Sequence, residues 1–189
     1  MDSSRINWRL CAVSFIATAS VALSSGCGTD AKTIRGTVVR TIDGDTLIVD
    51  TKGKETKIRL AGIDAPELHQ EGGPESFFFL TEMIDHQAVK VVWDKKDLYG
   101  RTVGTVFNSS NMNINEAMVA HGQAWFYVQY GSKFPQYRED ERAARAEKKG
   151  LWRNENPEPP WQFRREHKMP KKLYKRWNAT GVEYLRDTD

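Results

Sequence analysis

The sequence predicts an α+β fold, mainly a five-stranded β barrel with about three packed helices. Three observations predict it. Short stretches are rich in β-branched and aromatic residues, glycine-containing turn signals separate them, and three other segments carry apolar or capping residues at helical spacing. Five short strands joined by such turns are typical of the OB-fold, a small barrel.

The strand predictions depend on alternation and on the turns that interrupt it. Asp-Gly, Lys-Gly and Tyr-Gly pairs separate the strands, because these pairs favour tight turns. In the third strand Ile58 and Leu60 point to one face and Arg59 to the other, since side chains alternate across a strand. Arg59 can thus face a ligand while its neighbours pack in the core. The predicted strands are residues 34–42, 46–50, 56–63, 89–93 and 101–107.

The helix predictions depend on caps and apolar spacing. Pro74 is placed to open the first helix. Asn113 and Glu116 resemble a capping box that opens the second. The third helix would run over residues 135–149 and end at Gly150, with a charged face that is typical of solvent contact rather than nucleic-acid binding. The residues that the first helix would bury are Phe77, Leu80 and Ile84.

The N-terminus predicts export. Arg5 and Arg9 precede an uncharged run at residues 10–23, and small residues follow at 24–27. That run is shorter than the roughly 20 apolar residues of a membrane-spanning helix. We therefore expect residues 1–26 to be a signal peptide and the protein to reach the cell envelope or the medium.

Cys27 follows Ser-Ser-Gly and is similar to the lipid-modified cysteine of a bacterial lipoprotein, although Ser24 replaces the usual leucine. Lipidation of Cys27 would anchor the chain to the membrane, whereas ordinary cleavage nearby would release a secreted protein, and mass spectrometry of the N-terminus would separate the two. Cys11 lies inside the signal, so no intrachain disulfide is expected and packing must hold the domain.

Charge distribution is more informative than the net charge of +3. Residues 161–177 interleave basic with aromatic side chains and include the single acid Glu166. Such a segment could bind single-stranded nucleic acid, wrap the barrel or lie on an anionic membrane. We expect a linker at residues 27–33, one domain at 34–161, and a basic, aromatic tail at 162–189, with disorder as the leading expectation beyond Arg165.

Three motifs and one arginine supply carboxylates and cations beside the predicted strands: Asp43-Gly44-Asp45-Thr46, Arg59, Asp64-Ala65-Pro66-Glu67 and Tyr99-Gly100-Arg101. Phosphodiester hydrolysis needs an oriented water, neutralisation of transition-state charge and help for the leaving oxygen. Carboxylates around a hard divalent cation and arginine forks on a phosphate can supply these. Asp45 and Asp64 are the natural cation ligands, because the strand ends that carry them would be adjacent in this barrel.

In this order the motifs resemble the active-site signature of the thermonuclease, or staphylococcal-nuclease-like, family, and the resemblance covers roughly residues 34–161. It implies a calcium-dependent endonuclease, a hydrolase that cuts DNA and RNA with low sequence specificity. It also implies one Ca²⁺ ion, held by Asp45, Asp64 and the main-chain carbonyl of Ala65.

The resemblance assigns roles to the other motif residues. Glu67 is the candidate general base or the group that positions the attacking water, and both roles stay open. Arg59 and Arg101 would each grip the scissile phosphate in a bidentate way. Tyr99 matches a nucleotide-contacting tyrosine, although Leu98 replaces the lysine before it. Candidates for stacking a base are Tyr127 and Tyr130, for which barrel packing is an equal alternative.

Two functional classes stay open. One is the metal-dependent nuclease, expected to be a monomer that prefers single-stranded or denatured DNA and RNA. The other is a nuclease-like barrel at the cell envelope that binds nucleic acid or a protein without cutting. Asp43 is expected to be a turn residue, and Arg101 could merely pair with Asp97. The presence of all five catalytic and metal-ligand side chains favours the enzyme.

Overall fold

The computed structural model describes residues 31–128 and 133–167. The predicted signal peptide, Cys27, Tyr130 and the tail after residue 167 lie outside the described residues. Among those described, no helix has the length and apolar character that crossing a membrane requires.

Five strands close into a barrel, as predicted. Neighbours pair in the order β1, β2, β3, β6, β5, and β5 closes back onto β1. The pairing of β3 with β6 is parallel, and the other four pairings are antiparallel. The barrel strands are β1 (Lys32–Asp43), β2 (Thr46–Thr51), β3 (Lys54–Leu60), β5 (Ala88–Lys96) and β6 (Thr102–Phe107).

The third predicted strand is interrupted, so its prediction as one strand over residues 56–63 was wrong. β3 ends at Leu60, and the following short strand β4 (Ile63–Asp64) leaves the barrel to pair with β7 (Trp125–Phe126). Gly62 lies between them at φ 79°, and a Cβ atom there would come within 2.5 Å of the Phe134 ring. The break carries Asp64 to the end of the barrel.

The alternation predicted for β3 is confirmed. Ile58 and Leu60 are fully buried, whereas Arg59 keeps 14% of its side chain exposed. Apolar side chains from strands and helices fill the barrel and the space beside it. The core includes Val38, Leu47, Val49, Ile58, Leu60, Leu80, Ile84, Val91, Val106 and Met118.

The helices whose bounds lie within the described residues surround the barrel: α1 (Gly73–Ile84), α2 (Ile114–Ala120), α3 (Pro135–Ala146), the 3₁₀ helix Gly150–Arg153, and α4 (Pro160–Glu166). Pro74 lies in the first turn of α1, which buries its predicted apolar residues. The Asn113 side chain caps α2 by accepting from the Glu116 N–H, as predicted. The third helix stops at Ala146, a few residues earlier than expected.

Helix α4 crosses the expected domain boundary at residue 161. Phe163 is buried and its ring lies 5.0 Å from that of His69. The Gln70 side chain donates to the Glu158 carbonyl at 2.6 Å, just before the helix. Residues 162–166 therefore belong to a helix that packs on the domain, and the predicted tail after residue 167 lies outside the described residues.

Asn115 holds the strand break in place. Its side chain has no exposed surface. Its Oδ1 accepts from the Val106 N–H at 3.0 Å, and its Nδ2 donates to the carbonyls of Ala61 at 2.9 Å and Gly104 at 3.1 Å. These bonds satisfy main-chain groups where β3 ends beside β6, since buried polar groups need partners.

We expect Asn115→Ala to destabilise the domain by about 3 kcal/mol, because it removes three hydrogen bonds and leaves the Val106 N–H and the Ala61 carbonyl without their partner, whereas the Gly104 carbonyl still accepts from the Ala61 N–H. Asn113→Ala, which removes a half-buried helix cap, should cost about 1 kcal/mol. Urea unfolding followed by circular dichroism measures both. Equal losses in the two variants would contradict the role assigned to Asn115.

Candidate active site

The predicted carboxylates and arginines gather at one end of the barrel. Asp45 lies between β1 and β2, Arg59 lies on β3, Asp64 lies on β4, and Glu67 follows three residues later. Asp45 and Asp64 are only 6% and 2% exposed. The predicted adjacency of Asp45 and Asp64 is therefore confirmed.

Asp45 is held by donors on both carboxylate oxygens. Its Oδ2 accepts from the Ala65 N–H at 2.9 Å, and its Oδ1 accepts from the Thr46 hydroxyl at 3.0 Å. A Cβ atom on the preceding Gly44 would lie 2.0 Å from the Ser76 hydroxyl oxygen. Only glycine lets this turn pack so closely against α1, and this packing places Asp45 next to Ala65.

Asp43 is a turn residue, as expected. Its Oδ1 accepts from the Asp45 N–H at 3.0 Å, which is the pattern of an Asx turn. Burial and the neighbouring charge of Asp45 raise the pKa of Asp43 to about 8. The turn thus adds a third acid to a region that is already crowded with negative charge.

Arg59 joins the two buried carboxylates through a single atom. Its Nη2 lies 3.0 Å from Asp45 Oδ2 and 2.9 Å from Asp64 Oδ1. Its Nη1 donates to the Leu60 carbonyl at 2.8 Å, which fixes the plane of the guanidinium. The two carboxylates therefore converge on a point within reach of one cation.

That convergence fits a hard divalent ion. Two carboxylates from different strands, with a main-chain carbonyl and water, are the oxygen ligands that Ca²⁺ prefers. Among the described residues there is no cluster of three or more His, Cys, Asp or Glu side chains with metal-binding geometry. The Ala65 main chain follows Asp64 directly and donates its N–H to Asp45, so its carbonyl is a candidate for a further ligand.

Glu67 lies next to Asp64 and shares an arginine with it. The Arg164 Nη1 lies 2.8 Å from Glu67 Oε1, and its Nη2 lies 2.7 Å from Asp64 Oδ2. The Glu67 side chain is 23% exposed. The main chain at Glu67 is held by the Gln70 side chain, which accepts from the Glu67 N–H at 3.2 Å.

Burial raises the pKa of both Asp64 and Glu67. Loss of hydration raises the pKa of Asp64, although Arg59 and Arg164 oppose the shift. Loss of hydration also raises the pKa of Glu67, against the hydrogen bond and charge of Arg164. Without a bound cation, burial therefore makes the ionised form of both groups less favourable than it is in water.

Arg101 lines the same cleft as Arg59 and Asp64 and forms an ion pair with Asp97. Its Nε donates to Asp97 Oδ2 at 2.6 Å, and the Asp97 Oδ1 accepts from the Arg101 N–H at 2.9 Å. Asp97 remains an effective acceptor because these bonds lower its pKa even though burial opposes the shift. The pairing with Asp97 that the sequence left open is thus present, and it orients the Arg101 guanidinium.

An open cleft of about 450 Å³ connects Arg101 with the buried site. Its lining includes Arg59, Asp64, Arg164, Tyr99 and Arg101. Tyr99 is 80% exposed, and the Arg101 guanidinium lies 5.6 Å from its ring centroid.

Tyr127 also lines the cleft, and the ring of Trp161 lies 6.4 Å from it. Trp161 is itself 41% exposed. Tyr99 and Tyr127 therefore both line the cleft that contains Asp64.

Sequence reasoning missed Arg164. The residue stands in the basic, aromatic segment, with the sequence pattern of a solvent-exposed chain. Its partners Asp64 and Glu67 precede it by 100 and 97 residues. The only local signal was the interleaving of arginine with aromatic residues, which did not single out this position.

Comparison with known proteins gives a consistent result. A family model described as "Staphylococcal nuclease homologue" matches residues 57–154. The match includes Arg59, Asp64, Glu67 and Arg101, whereas Asp45 and Arg164 lie outside it.

Individual relatives extend the match. An uncharacterized endonuclease of Escherichia coli O157:H7 is 40% identical over 131 residues, 69% of this chain and 85% of the relative. An uncharacterized endonuclease of Haemophilus influenzae is 42% identical over 146 residues, 77% of this chain and 80% of the relative. A micrococcal nuclease of Shigella flexneri is 39% identical over 143 residues, 71% of this chain and 82% of the relative.

Because folding raises the pKa of Glu67, we predict that Glu67 makes the free energy of unfolding of the cation-free protein depend on pH. A carboxyl whose pKa is raised by folding contributes stability below its unfolded pKa, and this contribution is lost as the pH rises through the folded pKa. In EDTA, Glu67→Gln should therefore be more stable than wild type at pH 8, with the difference vanishing near pH 4. Urea unfolding across this range measures it.

Glu55→Gln, on the exposed surface of β3, serves as the control. A stability difference between Glu67→Gln and wild type that grows as the pH falls would have the wrong sign for this explanation.

Proposed function

Because the chain belongs to the staphylococcal nuclease family, we propose that it is an endonuclease that hydrolyses phosphodiester bonds of DNA and RNA with low sequence specificity, with the aid of one calcium ion. The nuclease part of this proposal is supported by the names of its relatives. The ion, the catalytic residues and the choice of substrate are supported by the chemistry of the cleft.

One observation carries the proposal. A single guanidinium nitrogen of Arg59 lies within 3.0 Å of carboxylates from both Asp45 and Asp64. Such convergence of buried charge on one point is costly for folding and is typical of a site built for a cation. We assign Asp45, Asp64 and the Ala65 carbonyl as its ligands.

A bound calcium ion supplies charge stabilisation to the phosphate and its developing negative charge. Glu67 keeps 23% of its side chain exposed, so a water can reach it. In its ionised form it can accept a proton from that water or orient the water towards phosphorus. Both roles fit its place.

Arg59 and Arg101 would hold the phosphate from two directions. Both arginines line the cleft, where Arg59 pairs with Asp45 and Asp64 and Arg101 is oriented by Asp97. A guanidinium presents two parallel N–H groups to phosphate oxygens, which the single ammonium of lysine cannot reproduce. The substrate thus bridges the cleft between the two arginines.

Tyr99 and Tyr127 are proposed to contact the bases that flank the scissile bond. Both line the cleft, and an exposed ring offers a stacking face to an unpaired base. This favours single-stranded or denatured substrates. The predicted third tyrosine, Tyr130, and the proposed export and lipid anchoring through Cys27 concern residues outside the described part of the chain.

We expect the mature protein to digest denatured DNA and RNA in calcium and to stop when EDTA is added, because the phosphate charge then lacks its counter-ion. Asp45→Asn and Asp64→Asn should each require a higher calcium concentration for half-maximal cleavage. Release of acid-soluble nucleotides measures both effects.

Absence of cleavage in either buffer, together with unimpaired nucleic-acid binding by Glu67→Ala, would favour a binding module over the enzyme.

We also expect Arg59→Lys and Arg101→Lys each to lower kcat/KM by about a hundredfold while the fold survives, because lysine keeps the charge but loses the bidentate contact. Arg35→Lys, on the exposed surface of β1, is the matched control and should keep its activity. Circular dichroism verifies folding, and near-normal rates in either site variant would reject its assignment.

A further inference from the structure

We propose that Arg164 is a positioning residue that occupies the carboxylates of Asp64 and Glu67 while no cation is bound, and leaves Asp64 when a cation binds. The proposal rests on the cation site proposed above. It assigns a function to a side chain from the C-terminal helix α4, outside the part of the chain that the family model matches.

The contacts of Arg164 are specific. Its Nη2 lies 2.7 Å from Asp64 Oδ2, and its Nη1 lies 2.8 Å from Glu67 Oε1 and 3.3 Å from Asp64 Oδ1. One guanidinium thus spans two carboxylates and donates to both oxygens of Asp64. Within the described part of the chain, its neighbour Arg165 pairs with the exposed Glu166, at 3.7 Å.

The helix delivers Arg164 to this position by packing. Phe163 is buried against His69 on one side of the helix. The ring of Trp161 lies 6.4 Å from the rings of both Trp125 and Tyr127. Because Phe163 and Trp161 both contact other segments, the backbone of α4 is held in place at Arg164. The entropic cost of pairing Arg164 with the carboxylates is therefore smaller than it would be for a free tail.

Arg164 and a cation compete for the same oxygens. Asp64 is 2% exposed, and Arg59 already takes its Oδ1 at 2.9 Å. Arg164 takes Oδ2 of the same carboxylate. A cation that uses Asp64 as a ligand must therefore displace at least one guanidinium, and the one on the open side is Arg164, with 43% of its side chain exposed against 14% for Arg59.

Displacement leaves Arg164 in the cleft rather than in bulk solvent. The cleft is lined by Arg164 together with Arg59 and Arg101. The exchange has an energetic consequence, because the pair formed in the cation-free state must be broken when the cation binds, which lowers the affinity for the cation. By the same linkage, Arg164 stabilises the cation-free protein more than the cation-bound one.

The test compares wild type with Arg164→Gln, Arg164→Lys and Arg165→Gln. Arg165→Gln removes the same charge from the same helix and is the matched control. Isothermal titration with Ca²⁺ alone, without nucleic acid, measures affinity. We expect Arg164→Gln to bind about five- to tenfold tighter than wild type, Arg164→Lys to fall between, and Arg165→Gln to match wild type.

Thermal unfolding in EDTA and in saturating Ca²⁺ gives a second readout. Arg164→Gln should lower the Tm in EDTA and lower it less in Ca²⁺. If Arg164→Gln does not fold, the side-chain Nε–Hε NMR signal of Arg164 in the wild type replaces it and should shift as Ca²⁺ is added.

The outcomes are distinct. Unchanged or weaker Ca²⁺ binding by Arg164→Gln, or an Arg164 signal that ignores Ca²⁺, overturns the exchange while leaving the cation site intact. Failure of the wild type to bind Ca²⁺ overturns the cation site and the exchange together. If Arg165→Gln gains as much Ca²⁺ affinity as Arg164→Gln, the effect is one of net charge alone, and the exchange is also overturned.

Discussion

The buried carboxylate of Asp64 is the constraint on which the site depends. A charge with 2% exposure is unfavourable in the protein interior unless it is paired and hydrogen-bonded. Two guanidiniums provide the pairing, one from Arg59 on a barrel strand and one from Arg164 on the last described helix. A single acidic side chain thereby ties the barrel, the short strand β4 and the C-terminal helix into one unit.

The demands of this site and of the fold oppose each other. Asp43, Asp45, Asp64 and Glu67 crowd negative charge at one barrel end, and burial raises the pKa of Asp43, Asp64 and Glu67. Arginines offset part of this cost, and the apolar core with the Asn115 network supplies the stability that the acidic end lacks. Ionisable groups whose pKa values are shifted in this way cluster at functional sites.

Much of the domain follows from local patterns. The alternation of Ile58, Arg59 and Leu60 correctly predicted which face of β3 is buried, and Asn113 with Glu116 correctly predicted a helix start. The break at Gly62 escaped prediction, because the apolar alternation continues through Ile63 while the turn is set by packing against Phe134, far along the chain. The choice of Asp97 as partner for Arg101 stayed open for a related reason, since a sequence shows which partners are near but not which one the turn presents.

The sequence by itself determined the barrel, its main helices and the residue types that serve a phosphodiester and a cation, because strand alternation, turn chemistry and helix caps act over a few residues. Only the tertiary structure decided how those residues meet. It brought Asp45 and Asp64 within reach of one Arg59 nitrogen and added Arg164 from about 100 positions away. The physical reason is that these contacts depend on the packing of Phe163 against His69 and on the strand break at Gly62. Both arise from packing between segments that are distant in the chain, so no local sequence pattern indicates them.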